Sequence, residues 1–421
     1  MVVYIRRAME DVLLRANKTF KAVLLTGARQ TGKSTVLNTL FADRRSITFD
    51  DAYLEEQARK NPEMFLQLNP PPVTMDEVQY VPELFRQIKM ICDQSQEHGL
   101  FALSGSQPLQ LMERASESLS GRVCILEMLG LSLREIQNDP FASPFLPTRD
   151  YIMSRKETVQ KPESIWEIIH RGSYPELYQN PEMDWQTFYG SYVKTYLERD
   201  VRSLSAVHDL DAFRRFMIAV AARTGQMLNY SNIADEISKD VGTVKNWMSI
   251  LESSGIIYLL EPYTPAILKR AIKTPKVYFR DTGLASYLTR WLTTETLAYG
   301  AMSGAMFETF VVSEILKSYA NRNIDYRYCV SYYRGKDKTV MKKDGQTVET
   351  ENEIDLIIEE NGVLYPIEIK SNSSEDASAT GAFTILDKVN EKKRGTGAVI
   401  NLCPQPGMIR ENVFEIPVWY I

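Results

Sequence analysis

Three groups of residues in this 421-residue chain have the types and spacing for chemistry on phosphates. The first is the run Gly27, Ala28, Arg29, Gln30, Thr31, Gly32, Lys33, Ser34 and Thr35, which follows the apolar stretch "KAVLLT" (21–26). Glycines at the first and sixth positions let main-chain N–H groups close around phosphate oxygens. The helix that begins at Lys33 adds a favourable dipole. Lys33 brings positive charge to the β- and γ-phosphates of a nucleotide, and the Ser34 hydroxyl is a Mg²⁺ ligand. Arg29 is read as a further phosphate contact within the loop.

The second group is Asp76 and Glu77, at the end of the short apolar run "VTM" (73–75). Asp76 is expected to hold the magnesium through water. Glu77 is expected to orient and deprotonate the attacking water, as the catalytic base. "GLFALSGSQ" (99–107) ends in small polar residues. Ser104 or Ser106 there is read as a contact to the γ-phosphate or to the water, or else as a plain turn. The third group lies far downstream: Asp355, Glu368 and Lys370, with Glu308 on a preceding helix. Residues 366–370 read as a strand, so Glu368 and Lys370 share a face. Asp355, Glu368 and the Ile369 carbonyl make the expected oxygen-rich Mg²⁺ site, which Glu308 could complete. Lys370 is expected to activate water or to stabilise developing phosphorane charge. The competing reading is an ordinary acid–lysine alternation on a binding or assembly surface.

These residues need elements to position them. "SITFDD" (46–51) and "GRVCILEM" (121–128) supply two more strands, giving five that alternate with helices. That order predicts a parallel sheet covered on both faces, with ligands at the carboxyl ends of the strands. "NDPFASPFLPTRD" (138–150) reads as an irregular linker, and helical patterns through 163–205 read as a lid. Between 211 and 262 three short helices precede a β-hairpin, the pattern of a winged helix-turn-helix. Its recognition helix exposes Lys245. Its wing carries Lys269, Arg270, Lys273 and Lys276 with no acid between them. Two readings stand for this region: phosphate contacts on DNA, or a protein-binding module. The last part reads as a helix (304–321), a strand (325–335) and a hairpin (351–372) turning at Asn361-Gly362. A helix near 383–394 and a strand at 397–402 follow.

Taken together, "GARQTGKST", "TMDEVQ", "LSGSQP", "LSGRVCILEMLGLSLREI", "RGSYPEL", "YLERDV" and "VYFRDTGLASYL" resemble bacterial and archaeal ATPases of the AAA+ class that carry a C-terminal domain of unknown function. The resemblance implies ATP binding and hydrolysis, with Mg²⁺. It also implies an arginine, from the lid or from a neighbouring subunit of a homo-oligomer, that reaches the γ-phosphate. Arg122, Arg199 and Arg202 are the candidates. Separately, the helix, the strands and the D…E-x-K spacing resemble the PD-(D/E)XK nuclease fold, over about 115 residues. The expected fold is α/β. A P-loop core (1–140) is followed by linker and lid (141–205), winged helix (206–290) and nuclease-like domain (291–421).

Composition narrows the functions. A net charge of −5 argues against a whole surface that coats nucleic acid or membrane. No apolar run has the length of a membrane span, and the charged start lacks a signal-peptide core. Four scattered cysteines and three histidines form no zinc pattern. A cytoplasmic protein is expected.

Overall fold

The computed structural model describes residues 4–106, 119–201, 207, 209–265, 273–341, 347–373, 379–389 and 391–421. Strands β1 (Ala22–Thr26), β2 (Arg45–Thr48), β3 (Val73–Asp76), β4 (Phe101–Gly105) and β5 (Val123–Glu127) form one sheet in the order β2-β3-β4-β1-β5. Every pairing is parallel. β1 is buried at all five positions, as a central strand with both faces covered must be. Its side chains alternate between two cores. Ala22 and Leu24 pack with Phe65, Phe85 and Ile88, while Val23 and Leu25 pack with Leu13, Val36 and Leu37. The register sets Thr26 level with Gly105 and with Glu127, and Met75 level with Leu103. The loops after β1, β3 and β4 therefore emerge side by side, and they carry the first two groups of candidate residues.

Helices Leu210–Ala221, Tyr230–Ile237 and Val241–Ser253 lead into a small antiparallel sheet. Its strands β6 (Gln226–Met227), β7 (Ile257–Leu260) and β8 (Lys276–Phe279) are ordered β6-β8-β7. Side-chain caps start all three helices, from Asp209, Asn229 and Asp240. Trp247 is buried edge-on between Phe213 and Phe216, with ring centroids 5.2 and 5.5 Å away.

The C-terminal sheet contains β9 (Val330–Met341), β10 (Thr347–Glu360), β11 (Val363–Ile369), β12 (Lys393–Arg394), β13 (Gly397–Asn401), β14 (Gly407–Arg410) and β15 (Val413–Pro417). Six run in the order β14-β15-β13-β11-β10-β9, and β12 pairs with β11. Asn361 and Gly362 both have positive φ, 51° and 76°, so the β10–β11 hairpin closes on a two-residue turn. Where a helix was expected near 383–394, the chain forms a 3₁₀ helix, Ala379–Lys388, and then β12. The helix Ser303–Ala320 is buried along most of its length rather than on one face. One continuous apolar cluster runs from Leu129 through the lid and the helical module to Ile421. The downstream modules thus share a core, while the first sheet has its own two.

Candidate nucleotide site and a second acidic site

β1 ends at Thr26 and the loop turns at once. Gly27 has φ 145°, and a Cβ there would lie 2.2 Å from the Met128 carbonyl oxygen. Only glycine fits against the end of β5. The helix Lys33–Leu40 then starts at Gly32, whose φ is 93°. Lys33 is buried, and its Nζ donates to the carbonyls of Gly27 (3.0 Å) and Ala28 (2.8 Å). Ser34 Oγ donates to Asp76 Oδ2 at 2.7 Å, and buried Ser104 donates to Asp76 Oδ1. Glu77 sits beyond the strand at a positive φ of 56°. Its Oε2 accepts from Ser106 Oγ at 2.9 Å and from Gln79. Loop, Asp76, Glu77 and Ser104 therefore meet at one end of the sheet.

They open on a cavity of about 790 Å³. The loop residues from Arg29 to Thr35 and Glu77 form one wall. The other walls come from Tyr4, Ile5 and Arg7, and from Pro175, Phe188, Tyr192 and Tyr196 of the lid. Sequence reasoning missed these walls. The aromatic density of "WQTFYGSYVKTY" (185–196) was the available signal. Arg7 ties the site together. Its guanidinium pairs with buried Glu135 (2.8 Å) and donates to the carbonyls of Thr31 (2.7 Å) and Leu129 (2.8 Å). Burial pushes the Glu135 carboxyl up, but Arg7 and main-chain donors pull it below its ordinary value.

The residues of the cradle suit a nucleotide with Mg²⁺. The loop presents a cation and main-chain donors at a helix start, and a hydroxyl–carboxylate pair stands beside them. Behind the loop two contacts lead away. A Cβ at Gly255 (φ 74°), just past the helix Val241–Ser253, would lie 3.2 Å from Ala28 Cβ. At the tip of β5, Glu127 accepts from Arg280 (2.7 Å) and from the Tyr326 hydroxyl (2.8 Å). Burial raises the Glu127 carboxyl and Arg280 lowers it further, so the net shift is downward.

The third group of candidates also converges, but around an unexpected partner. The β10–β11 register pairs Leu356 with Ile367, which sets Asp355 opposite Glu368. Asp355 Oδ2 accepts from the Ile369 N–H at 2.9 Å, and Lys370 Nζ donates to Glu368 Oε1 at 2.7 Å. The wing residue Lys276, expected on the surface to meet nucleic acid, is instead only 2% exposed. Its Nζ lies 3.2 Å from Glu308, 2.7 Å from Glu353 and 3.8 Å from Asp355. β8 alternates, so Lys276 and Tyr278 face inward together. The Tyr278 hydroxyl donates to Glu308 Oε1 at 2.6 Å. Among the described residues, no three His, Cys, Asp or Glu side chains gather closely enough to hold a metal ion. The expected Mg²⁺ ligands instead face ammonium groups: Glu308 and Asp355 that of Lys276, and Glu368 that of Lys370. Burial and Asp355 raise Glu308 to about 7 and Glu368 to about 8. Burial lowers the Lys276 ammonium, and Glu308, Asp355 and Glu353 more than reverse that, leaving it above its ordinary value.

Arg122, a candidate from the lid or a neighbouring subunit, does not reach the site of its own chain. It precedes β5, at the end of the sheet away from the loop, where its carbonyl accepts from Ala22 N–H and its guanidinium pairs with Asp93. Five strand residues, on the order of 15 Å, separate it from the candidate site of its own chain. The Arg199 side chain, and Arg202, Lys269 and Arg270, lie outside the described residues. Lys245 and Lys273 are exposed, and Lys245 Nζ rests 5.6 Å from the centre of the Tyr230 ring. All four cysteines are free. Among the described residues no helix is long and apolar enough to cross a membrane.

Residues 19–137 match a family model described as an AAA domain. The N-terminal region is AAA-like. Residues 162–295 and 303–421 match two models described as domains of unknown function, DUF8612 and DUF4143. The chain is 26% identical over 383 residues to the uncharacterized proteins Rv2008c of Mycobacterium tuberculosis and Mb2031c of Mycobacterium bovis. Those alignments cover 91% of this chain and 77% of each relative. Among solved structures, the Walker-type ATPase PABY2304 of Pyrococcus abyssi superposes with a TM-score of 0.40 at 15% identity, covering 68% of this chain and 96% of that one. A RuvB variant of Thermotoga maritima gives 0.28 at 14% identity, covering 60% and 85%. Both superpositions are loose.

Proposed function

We propose that the protein is a Mg²⁺-dependent ATPase that works as a switch, its nucleotide state acting on the helical and C-terminal modules. The observation that carries this reading is the meeting of Lys33, Ser34, Asp76, Ser104 and Glu77 beside the 790 Å³ cavity. Lys33 donates to two carbonyls of its own loop and would turn to the phosphate oxygens when nucleotide binds. Loop N–H groups and Lys33 bind and orient the phosphates, and Ser34 and Asp76 would hold the metal. Bound Mg²⁺ supplies charge neutralisation at the phosphates. Glu77 takes the proton of the attacking water, and Ser106 and Gln79 fix its carboxylate. The aromatic wall of Phe188, Tyr192 and Tyr196 receives the base. An arginine of a neighbouring subunit, Arg199 or Arg202, completes the site in a homo-oligomer.

Two contacts support the switch: Gly255 against Ala28, and Arg280 with Tyr326 on Glu127. The test is ATP turnover by the purified chain beside Lys33→Ala and Glu77→Gln. Turnover absent from the wild type, or undiminished in both variants, defeats the reading.

A second reading concerns the middle module. Its three helices and β6-β8-β7 sheet have winged-helix order, with Lys245 and Lys273 exposed. These, with Lys269 and Arg270, would meet DNA phosphates. The salt dependence of DNA binding, in wild type and in a variant with these four cations changed to Ala, decides it. Equal affinity in the two removes DNA from this surface. The C-terminal module, whose D…E-x-K spacing suggests a nuclease, would act by binding and assembly rather than by cleavage, because Lys276 lies among its acids.

A further inference from the structure

The strand spacing around Asp355, Glu368 and Lys370 implies a divalent metal, and the side chains present do not fit one. We propose that Lys276 is a built-in counter-cation, closing the acidic pocket to metal and latching β8 onto the C-terminal sheet. The inference is independent of ATP hydrolysis.

The pocket gathers Glu308, Glu353, Asp355 and Glu368 from one helix and two strands, with Asp355 and Glu368 as opposed like charges. Such a cluster is costly to bury unless its carboxyls are protonated or face positive charge. The ammonium of Lys276 comes from a different module, contacts three of the four carboxylates and is almost wholly buried. Magnesium demands six oxygens at close to 2.1 Å. Here the oxygens of Glu308 and Glu353 already serve Lys276 and Tyr278, and a second cation would meet the ammonium's charge at short range. Lys370 pairs with Glu368, and Arg334 lies 3.3 Å from Glu353. Glu368 Oε2 is buried with no hydrogen-bond partner. Among the described residues, the pocket is nonetheless arranged around cations supplied by the chain, Lys276, Lys370 and Arg334.

The test uses the full chain with Asp76→Asn, which removes the ion site of the nucleotide loop. Mn²⁺ binding is followed by electron paramagnetic resonance without nucleotide. The chain with Lys276 is expected to bind no Mn²⁺ that depends on Asp355. Lys276→Gln is expected to gain one Mn²⁺ ion per chain and to lose it when Asp355→Asn is added. Asp355-dependent Mn²⁺ binding with Lys276 in place overturns the proposal, as does a folded Lys276→Gln chain that gains none. If Lys276→Gln does not fold, hydrogen exchange on Glu353→Gln serves instead. Amide protection across Lys276–Phe279 should fall about tenfold, and unchanged protection overturns the latch.

Discussion

Two of the buried lysines, Lys33 and Lys276, stand in different settings. Lys33 bonds to main-chain carbonyls, beside a cavity of about 790 Å³. Lys276 bonds to carboxylates of another module. The residue types are alike: lysine, aspartate, glutamate and a hydroxyl donor. What differs is the acceptors each ammonium is seen to meet and whether a cavity adjoins it. An ammonium held by carboxylates is already neutralised; the proposed function has the one on carbonyls turn to phosphate.

The contrast is broken most severely at Lys33. Lys33→Ala should lower ATP turnover by at least about a hundredfold, since it removes the charge that faces the transferred phosphoryl group. A coupled-enzyme assay checks this, with circular dichroism showing an unchanged fold. Lys276→Met should instead leave the nucleotide loop intact and cost about 3–5 kcal/mol of stability in urea unfolding, because it strands buried carboxylates. Gly255→Val tests the link between the loop and the helical module. A positive φ and a tight approach to Ala28 should together cost about 1–3 kcal/mol and weaken nucleotide binding, measured by calorimetry.

The pH dependence sharpens the comparison further. Glu308 and Glu368 are raised in the folded state, to about 7 and about 8. A raised folded value means that their stabilisation is complete below the ordinary carboxylate range and is lost as pH rises through 7 and 8. Unfolding free energy should therefore decline from pH 5 to pH 9, and Glu368→Gln should flatten that decline. The smallest effect is expected from Lys370→Ala. This half-exposed lysine should matter by at most about 1 kcal/mol and leave ATP turnover unchanged.

The sequence made the nucleotide loop readable because its parts are contiguous: Gly27, Gly32, Lys33 and Ser34 need no tertiary contact to be placed. Asp76 and Ser104 were nearly as accessible, since each ends an apolar run and parallel strands bring such ends together. The walls of the cavity were not. Arg7 and Tyr192 stand far from the loop in sequence, and only folding brings them to it. Lys276 was misread because four cations without an acid look like an exposed wing. Yet "KVYF" is a wholly buried strand, and the alternation of Lys276 with Tyr278 was the signal that its ammonium faces inward. Arg122 precedes a strand whose other end faces the site, so within its own chain it stands away from the loop.

Glu127 has a consequence of another kind. One carboxylate at the tip of β5 receives both Arg280 and Tyr326, so the nucleotide region and the two downstream modules share a single junction. Under the proposed switch, thermodynamic reciprocity then applies. Whatever factor nucleotide imposes on the affinity for a partner, that partner must impose the same factor on the affinity for nucleotide. A ligand of the far modules, still unidentified, would be detectable at the nucleotide loop before its own binding surface is known.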